Sequence, residues 1–166
     1  FSGTLIWSII LDAINSPTGS TKASIGIMSK INFPKEALII SGIFKLIINS
    51  VPKILLLLGF VVYFGVGFQW TLLLFPFAIL GMLFFGTTIG LFLTPISMFY
   101  TDISKIISMF LRILMYVTPI VYVIPKSGIL KIIMEYNPFT PLILTGRDLV
   151  IGVVPEYGIS FLILML

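Results

Sequence analysis

Long apolar runs separated by short polar breaks dominate the chain, and two of them, at residues 37–65 and 71–99, are each long enough to cross a bilayer. A third run covers about residues 106–124, and residues 1–15 look like the latter part of another span. A last apolar run starts at Tyr157. Because a helix satisfies its own backbone in lipid, the pattern predicts an all-α, polytopic bundle of transmembrane helices.

The stretch from Ser16 to Glu36 is polar by comparison with its neighbours. Ile25, Met28 and Ile31 recur within it at three-residue spacing, which predicts the apolar side of a short amphipathic helix. Pro34, in the segment INFPKE, should end this helix, because the residue before a proline avoids the α conformation. We therefore expect a short helix and a charged corner before the second apolar run.

Residues 125–157 contain two apolar segments, Ile129–Met134 and Pro138–Leu144, that are too short to span a bilayer. Non-spanning segments are tolerated at membrane depth only where protein or a wet cavity surrounds them. The pattern therefore predicts a re-entrant hairpin of two short helices.

Gly86 and Gly90 form a GxxxG pair in the run 71–99. Small residues at this spacing let two helix backbones approach closely in lipid. We expect another helix to pack against this face.

Four polar residues recur every fourth position in the run 37–65, namely Ser41, Lys45, Asn49 and Lys53. This spacing places them along one face of a helix, which then points towards protein or water. Two interpretations stay open. The lysines reach lipid headgroups while the small residues pack, or the stripe faces a substrate.

Four further residues carry polar chemistry in or beside apolar runs. Asp12 is interpreted as a helix-end residue near the interface. Arg112 falls inside the run 106–124, where it either snorkels to the surface or binds an anionic headgroup or phosphate. Tyr116 and Tyr122 flank Pro119, and their rings suit sugars, although most such rings pack against lipid or helices.

The composition supports a membrane protein and argues against nucleic-acid binding. Of the 166 residues, 58% are hydrophobic and 10% are charged, and the mean hydropathy is +1.19, whereas soluble domains average about 25% charged residues. The net charge of +4 fits orientation of the helices and contact with anionic lipid headgroups. Lysines in the loops 16–36 and 100–105 place these loops on the cytoplasmic side.

No catalytic or metal site is expected from the residue types. The chain has neither His nor Cys, and no acid is paired with a base in a way that suggests catalysis. GSTK at 19–22 has the wrong residue order for a nucleotide-binding phosphate loop. If the protein moves a solute uphill, the energy should come from another chain.

Four segments in order resemble one family. They are INFPKE, MFYTDISK, LMYVTPIVYVIP and EYNPFTPLILTGRDLVIG, and together they cover most of residues 1–152. The chain resembles the membrane subunit of ABC-2 type exporters of polysaccharides, O-antigen and teichoic acid. That resemblance implies a six-span subunit, of which residues 1–166 would be a partial transmembrane domain lacking the first span and most of the sixth.

The resemblance also implies roles for particular segments. Residues of about 20–36 would form a cytoplasmic coupling helix, and about 119–145 re-entrant helices at an outer gate. The coupling residues would be Ile25, Met28, Lys30, Ile31, Phe33, Pro34, Lys35 and Glu36. The candidate substrate-path residues are Lys45, Asn49, Lys53, Arg112, Tyr116 and Tyr122, and the outer-gate residues Pro119, Asn137 and Pro138. Arg112 departs from the family pattern, which expects an uncharged residue there.

The implied function is ATP-driven export of a lipid-linked polysaccharide or teichoic-acid-type polymer across a bacterial or archaeal cytoplasmic (inner) membrane. The chain would be a multi-pass transport subunit and not an enzyme, with no cofactor of its own. Its implied partners are an ABC nucleotide-binding ATPase carrying ATP and Mg, a second copy of the permease, membrane lipid and the lipid-linked glycan. Alternatives are a drug or small-lipid exporter, a membrane-embedded lipid or glycan enzyme, and a channel or structural subunit.

Overall fold

The computed structural model describes residues 1–28, 35–65, 69–100, 102–120 and 128–165, and these residues form helices and no strand. The predicted all-α fold is therefore confirmed. In chain order the helices are α1 (Ser2–Met28), α2 (Lys35–Tyr63), α3 (Trp70–Phe99), α4 (Ile103–Val117), α5 (Ile129–Glu135), α6 (Phe139–Ile151) and α7 (Gly158–Met165).

Two of these helices are long and apolar enough to cross a membrane. They cover Ala37–Tyr63 and Trp70–Phe99, with mean hydropathies of 2.0 and 2.2. Both coincide with the predicted runs at 37–65 and 71–99, so the sequence pattern located these spans correctly. Large apolar side chains such as Phe44 and Phe77 are exposed on them, which fits a surface facing lipid or other membrane helices.

The predicted span at 106–124 is wrong as a single helix. α4 begins earlier, at Ile103, and ends at Val117. Its 15 residues extend only about 22 Å, against about 30 Å of hydrocarbon. The helix stops there because Thr118 precedes Pro119 and adopts an extended backbone conformation.

The first helix is longer than predicted. The span at 1–15 and the polar segment that follows form one continuous helix, α1, which passes through Pro17 and reaches Met28. The sequence predicted a separate short helix here, and that division is wrong for residues 20–28. Pro17 lacks the N–H that would bond the carbonyl four residues earlier, and it is buried at the α3 contact, so tertiary packing holds the helix together at the proline.

The predicted close approach at the GxxxG pair is confirmed, with α1 as the partner helix. A Cβ atom added to Gly86 would lie 2.5 Å from the Cβ of Ala13. One added to Gly90 would overlap the carbonyl oxygen of Ile14. Backbones this close leave no room for any side chain at either position, so the two glycines determine how α1 and α3 cross.

The short helices α5 and α6 follow the predicted pattern of half-length segments. α6 starts beside Phe85, midway along α3, since the Phe85 and Phe139 ring centroids are 5.8 Å apart. It ends beside the start of α3, where Gly152, at φ +86°, lies against the Gln69 side chain. α6 therefore runs from the middle of the bundle to one end, and residues Phe139–Gly146 are all buried.

Candidate functional site

A polar cleft lies between α1 and α2 and opens to the surface of an otherwise apolar helix pair. Its volume is about 170 Å³. With the exception of Leu46, its lining consists of charged, polar or glycine residues. These residues are Asp12, Asn15, Ser16, Gly19 and Ser20 of α1 and Lys45 and Asn49 of α2. We call this feature the α1–α2 cleft.

An ion pair lies beside this cleft. The Lys53 ammonium contacts the Asp12 carboxylate at 2.6 Å and also donates to the Ser8 carbonyl at 3.2 Å. The two side chains are 25% and 40% exposed, respectively. A lone charge at the centre of a membrane helix costs roughly 2.5–3.5 kcal/mol on insertion scales, so each residue lowers the cost of placing the other there.

The position of Asp12 corrects its interpretation as a helix-end residue. Asp12 lies ten residues after Ser2 and 16 before Met28, because α1 continues beyond the predicted boundary. Lys53 lies ten residues before Tyr63, at the end of α2. α1 and α2 are antiparallel, so Ser2 and Tyr63 lie at the same end of the pair. At 1.5 Å per residue, both charges are therefore about 15 Å from that end.

The predicted polar stripe on α2 is in place, and its members differ in their surroundings. Lys45 and Asn49 line the cleft, whereas Lys53 is engaged with α1. Closer to the start of α2, the Ser16 hydroxyl donates to the Gly42 carbonyl at 2.6 Å, which links α1 and α2. Within the described part of the chain, neither the Lys45 ammonium nor the Asn49 amide has an ion pair or hydrogen bond to another side chain.

A second polar arrangement lies where α4 meets the turn between α5 and α6. The Asn137 amide nitrogen donates to the Thr118 hydroxyl at 3.0 Å, and that hydroxyl donates to the Leu114 carbonyl at 2.8 Å. The Asn137 amide oxygen accepts from the Phe139 backbone nitrogen at 3.0 Å. Thr118 is fully buried and Asn137 is 8% exposed, so this network fastens the turn between α5 and α6 to the end of α4.

The predicted gate residues contribute to this arrangement in different ways. Asn137 makes the hydrogen bonds, Pro138 occupies the N-cap position of α6 without a capping bond, and Pro119 follows Thr118 at the end of α4. Thr118 was not among the predicted site residues. The sequence signal that could have identified Thr118 is its position directly before Pro119, where a helix is expected to end.

Aromatic rings hold the start of α6 in the core. Phe139 packs edge-on against Trp7 of α1, at 5.5 Å between ring centroids, and against Phe85 of α3, at 5.8 Å. These edge-on ring contacts fix the start of α6 against α1 and α3.

Arg112 and Tyr116 are on α4 and are not among the residues that line the α1–α2 cleft. Arg112 is exposed and shares a surface depression with Lys105, Ser108 and Met109, whereas the preceding residue, Leu111, is buried. The structure thus divides the predicted substrate-path residues between two places, the cleft and the exposed face of α4. Tyr122 lies outside the described residues.

The predicted coupling residues are only partly described. Ile25 and Met28 belong to the last turns of α1, and Lys35 and Glu36 begin α2. The remaining four residues lie outside the described part of the chain, namely Lys30, Ile31, Phe33 and Pro34. Their proposed role stays a prediction.

Near the end of α6, Asp148 is half-buried, and the Arg147 Nε lies 3.9 Å from its carboxylate. Burial raises the pKa of the Asp148 carboxyl. Arg147 and a hydrogen bond from the Glu156 backbone lower this pKa in part, and the Glu156 carboxylate raises it further.

In the described ranges, no three acidic side chains lie together in a way that would hold a metal ion.

Comparison with known proteins links these features to one family. A family model described as "ABC-2 type transporter" matches residues 28–148. An O-antigen export system permease protein, RfbA, of Klebsiella pneumoniae is 24% identical over 163 residues, covering 94% of this chain and 61% of the relative. The Myxococcus xanthus protein of the same name is 23% identical over 145 residues, covering 86% and 56%.

The chain thus spans about three fifths of the length of these curated relatives. The family match covers more than half of the chain and includes α2, α3, α4, α5 and most of α6. This membrane protein belongs to the ABC-2 type transporter family.

Proposed function

We propose that this chain is the permease part of an ATP-driven ABC exporter that moves a lipid-linked polysaccharide or teichoic-acid-type polymer across the cytoplasmic membrane. The observation that carries the proposal is the family match over residues 28–148, which extends through both spans and the α5–α6 hairpin. The names of the relatives, O-antigen export permeases, favour a glycan over a drug as the transported class.

Two features of the bundle are compatible with a transport role. A polar cleft between α1 and α2 and the buried, half-length helix α6 interrupt the apolar bundle. Segments that do not span are tolerated at membrane depth where protein surrounds them, as it surrounds Phe139–Gly146 of α6. In our proposal the turn at Asn137 and Pro138 belongs to the outer gate.

ATP hydrolysis takes place, in this proposal, on a separate nucleotide-binding subunit, and two copies of the permease form the conduit. The contact with the ATPase is assigned to residues 20–36, of which the last turns of α1 are described. A rigid helix end seated in a partner can move with that partner when nucleotide binds.

Co-purification of the full-length permease with candidate ATPase subunits tests the proposal. A double change, Met28→Asp with Ile31→Asp, places two charges on the apolar side of the coupling segment. The matched control, Ala23→Asp with Ser29→Asp, adds the same charge at positions that the three-residue spacing places off that side. We expect the wild type and the control to retain an ATPase and the first variant to lose it.

Failure of the wild type to retain any ATPase would overturn the exporter assignment. If an ATPase is retained, stimulation of its activity separates the substrate classes. We expect a lipid-linked glycan to raise hydrolysis by the reconstituted complex, whereas stimulation by drugs alone would favour the drug-exporter alternative.

A further inference from the structure

We propose that the α1–α2 cleft binds the phosphate of a lipid headgroup, with Lys45 as the cation that faces it. The ligand class is a lipid phosphate, which a bulk anionic phospholipid or a lipid-linked substrate can supply. A lipid-linked substrate as the source rests on the proposed function, whereas a bulk anionic phospholipid does not.

The charges at the cleft favour an anion. Asp12 and Lys53 neutralise each other at 2.6 Å, and Lys53 is further held by the Ser8 carbonyl. Lys45 is the remaining charged residue of the cleft lining, and it has no acidic partner in the described part of the chain. The cleft therefore carries one uncompensated positive charge, which an ammonium–phosphate contact would balance.

Neutral donors surround this charge. The Asn49 amide lies one turn along α2 from Lys45, and the Ser20 hydroxyl and the Asn15 amide face it from α1. Asn15 uses one N–H to reach the Leu11 carbonyl at 2.9 Å, which leaves its second N–H for a ligand. Amide and hydroxyl donors around a cation are the groups that satisfy phosphate oxygens.

The depth of the cleft suits a headgroup. The apolar helix Ala37–Tyr63 has 27 residues, about 40 Å at 1.5 Å per residue, so about 5 Å at each end extends beyond a 30 Å hydrocarbon core. Lys45, eight residues after Ala37, then lies roughly 7 Å inside the boundary on the side where α2 begins. A lysine stem that packs along the helix can bring its ammonium from there to the phosphate level.

The size of the cleft suits a small group. At about 170 Å³ it is smaller than the roughly 300–1,000 Å³ of pockets that enclose drug-sized molecules. It accommodates a phosphate and its adjoining atoms, while acyl or prenyl chains would remain along the exposed apolar face of α2, beside residues such as Phe44 and Ile48.

Native mass spectrometry of the purified full-length permease, without the ATPase, tests this inference. Phosphatidylglycerol and a polyprenyl diphosphate serve as phosphate probes, and diacylglycerol serves as a probe without phosphate. We expect Lys45→Gln to weaken binding of at least one phosphate probe about tenfold and Lys45→Arg to restore it. Asn49→Ala should weaken it about threefold. The matched control is Lys105→Gln, which removes an exposed lysine on α4 and should leave binding unchanged.

Loss of both phosphate probes in Lys45→Gln identifies a general lipid phosphate site, and loss of the diphosphate alone identifies a substrate site. Equal binding of all probes by the wild type, or unchanged affinity in Lys45→Gln, overturns the inference. If Lys45→Gln elutes as a folded species and Lys45→Arg retains binding, the loss of binding in Lys45→Gln is not caused by misfolding. Because no ATPase or polymer is present, this result is independent of whether export occurs.

Discussion

At the scale of single residues, the charges within the bundle differ according to what each one contacts. Lys53 is paired with Asp12, Lys45 faces an open cleft, and Asp148 is half-buried beside Arg147. Helical periodicity placed Lys45 and Lys53 on one face but could not distinguish them. The partner of Lys53 lies 41 positions away in the sequence, and no local pattern gives a contact between two helices.

Breaking the ion pair should destabilise the protein. Asp12→Asn or Lys53→Met alone leaves the other charge unpaired beside apolar side chains, and we expect each to cost about 1–3 kcal/mol. The double variant Asp12→Asn with Lys53→Met removes both charges and should recover most of the loss. Thermal unfolding in detergent, analysed as a double-mutant cycle, measures the coupling. Additive losses in the double variant would contradict the pairing.

Neutralising Asp148 should stabilise the protein at neutral pH. Burial raises the pKa of its carboxyl, so the folded state binds the proton more tightly than the unfolded state does. The charged form therefore weakens folding, and this cost appears as pH rises from the ordinary Asp value through the raised one. We expect Asp148→Asn to raise the unfolding temperature at pH 7, and the gain to vanish below the ordinary Asp pKa. A gain that is the same at every pH would argue for a cause other than ionisation.

At the scale of helices, the local pattern predicted the elements whose apolar length is sufficient by itself. Ala37–Tyr63 and Trp70–Phe99 appear where the runs lie, and the half-length segments give α5 and α6. The continuity of α1 through Pro17 was not predictable in this way. It depends on the burial of Pro17 against α3, which becomes visible only in the folded chain.

The glycine pair provides a test of the α1–α3 contact. Gly86→Ala would force its Cβ to within 2.5 Å of the Ala13 Cβ, and overpacking of this kind typically costs about 1–3 kcal/mol. Gly59 is the matched control, because it also lies within a long helix but has no atom within 4 Å of an added Cβ. We expect Gly86→Ala to lower the unfolding temperature and Gly59→Ala to leave it equal or higher. Equal responses at both sites would contradict the close approach.

The hydrogen-bond network at the hairpin turn provides a second test. Asn137→Ala removes the donor to Thr118 and the acceptor for the Phe139 backbone nitrogen, which leaves buried polar groups unsatisfied. A loss of about 1–3 kcal/mol is expected from one such group. Asn49→Ala, at an exposed position, is the control and should cost little. Hydrogen exchange in α6 should rise in Asn137→Ala, and unchanged protection there would show that the network does not fasten the hairpin.

At the scale of the whole molecule, the antiparallel order of α2 and α3 places the residues that join them at one end of the bundle and the α3–α4 connection at the other. Phe64 is exposed at the first end and Asp102 at the second. Each helix is long enough to cross a bilayer, so the two residues should lie on opposite sides of the membrane. The lysine at 105 favours the cytoplasm for the second end.

Cysteine labelling in intact cells tests this arrangement, because residues 1–166 contain no cysteine to interfere. In a full-length background free of other cysteines, a membrane-impermeant maleimide should label Phe64→Cys in intact cells and Asp102→Cys only after permeabilisation. Each variant is the control for the other, since both sites are exposed and at the end of a long apolar helix. The reverse pattern would invert the bundle and place the α5–α6 hairpin on the cytoplasmic side. Equal labelling of both in intact cells would mean that α3 does not cross the membrane, and the conduit proposed for this permease would then lose one of its two apolar spans.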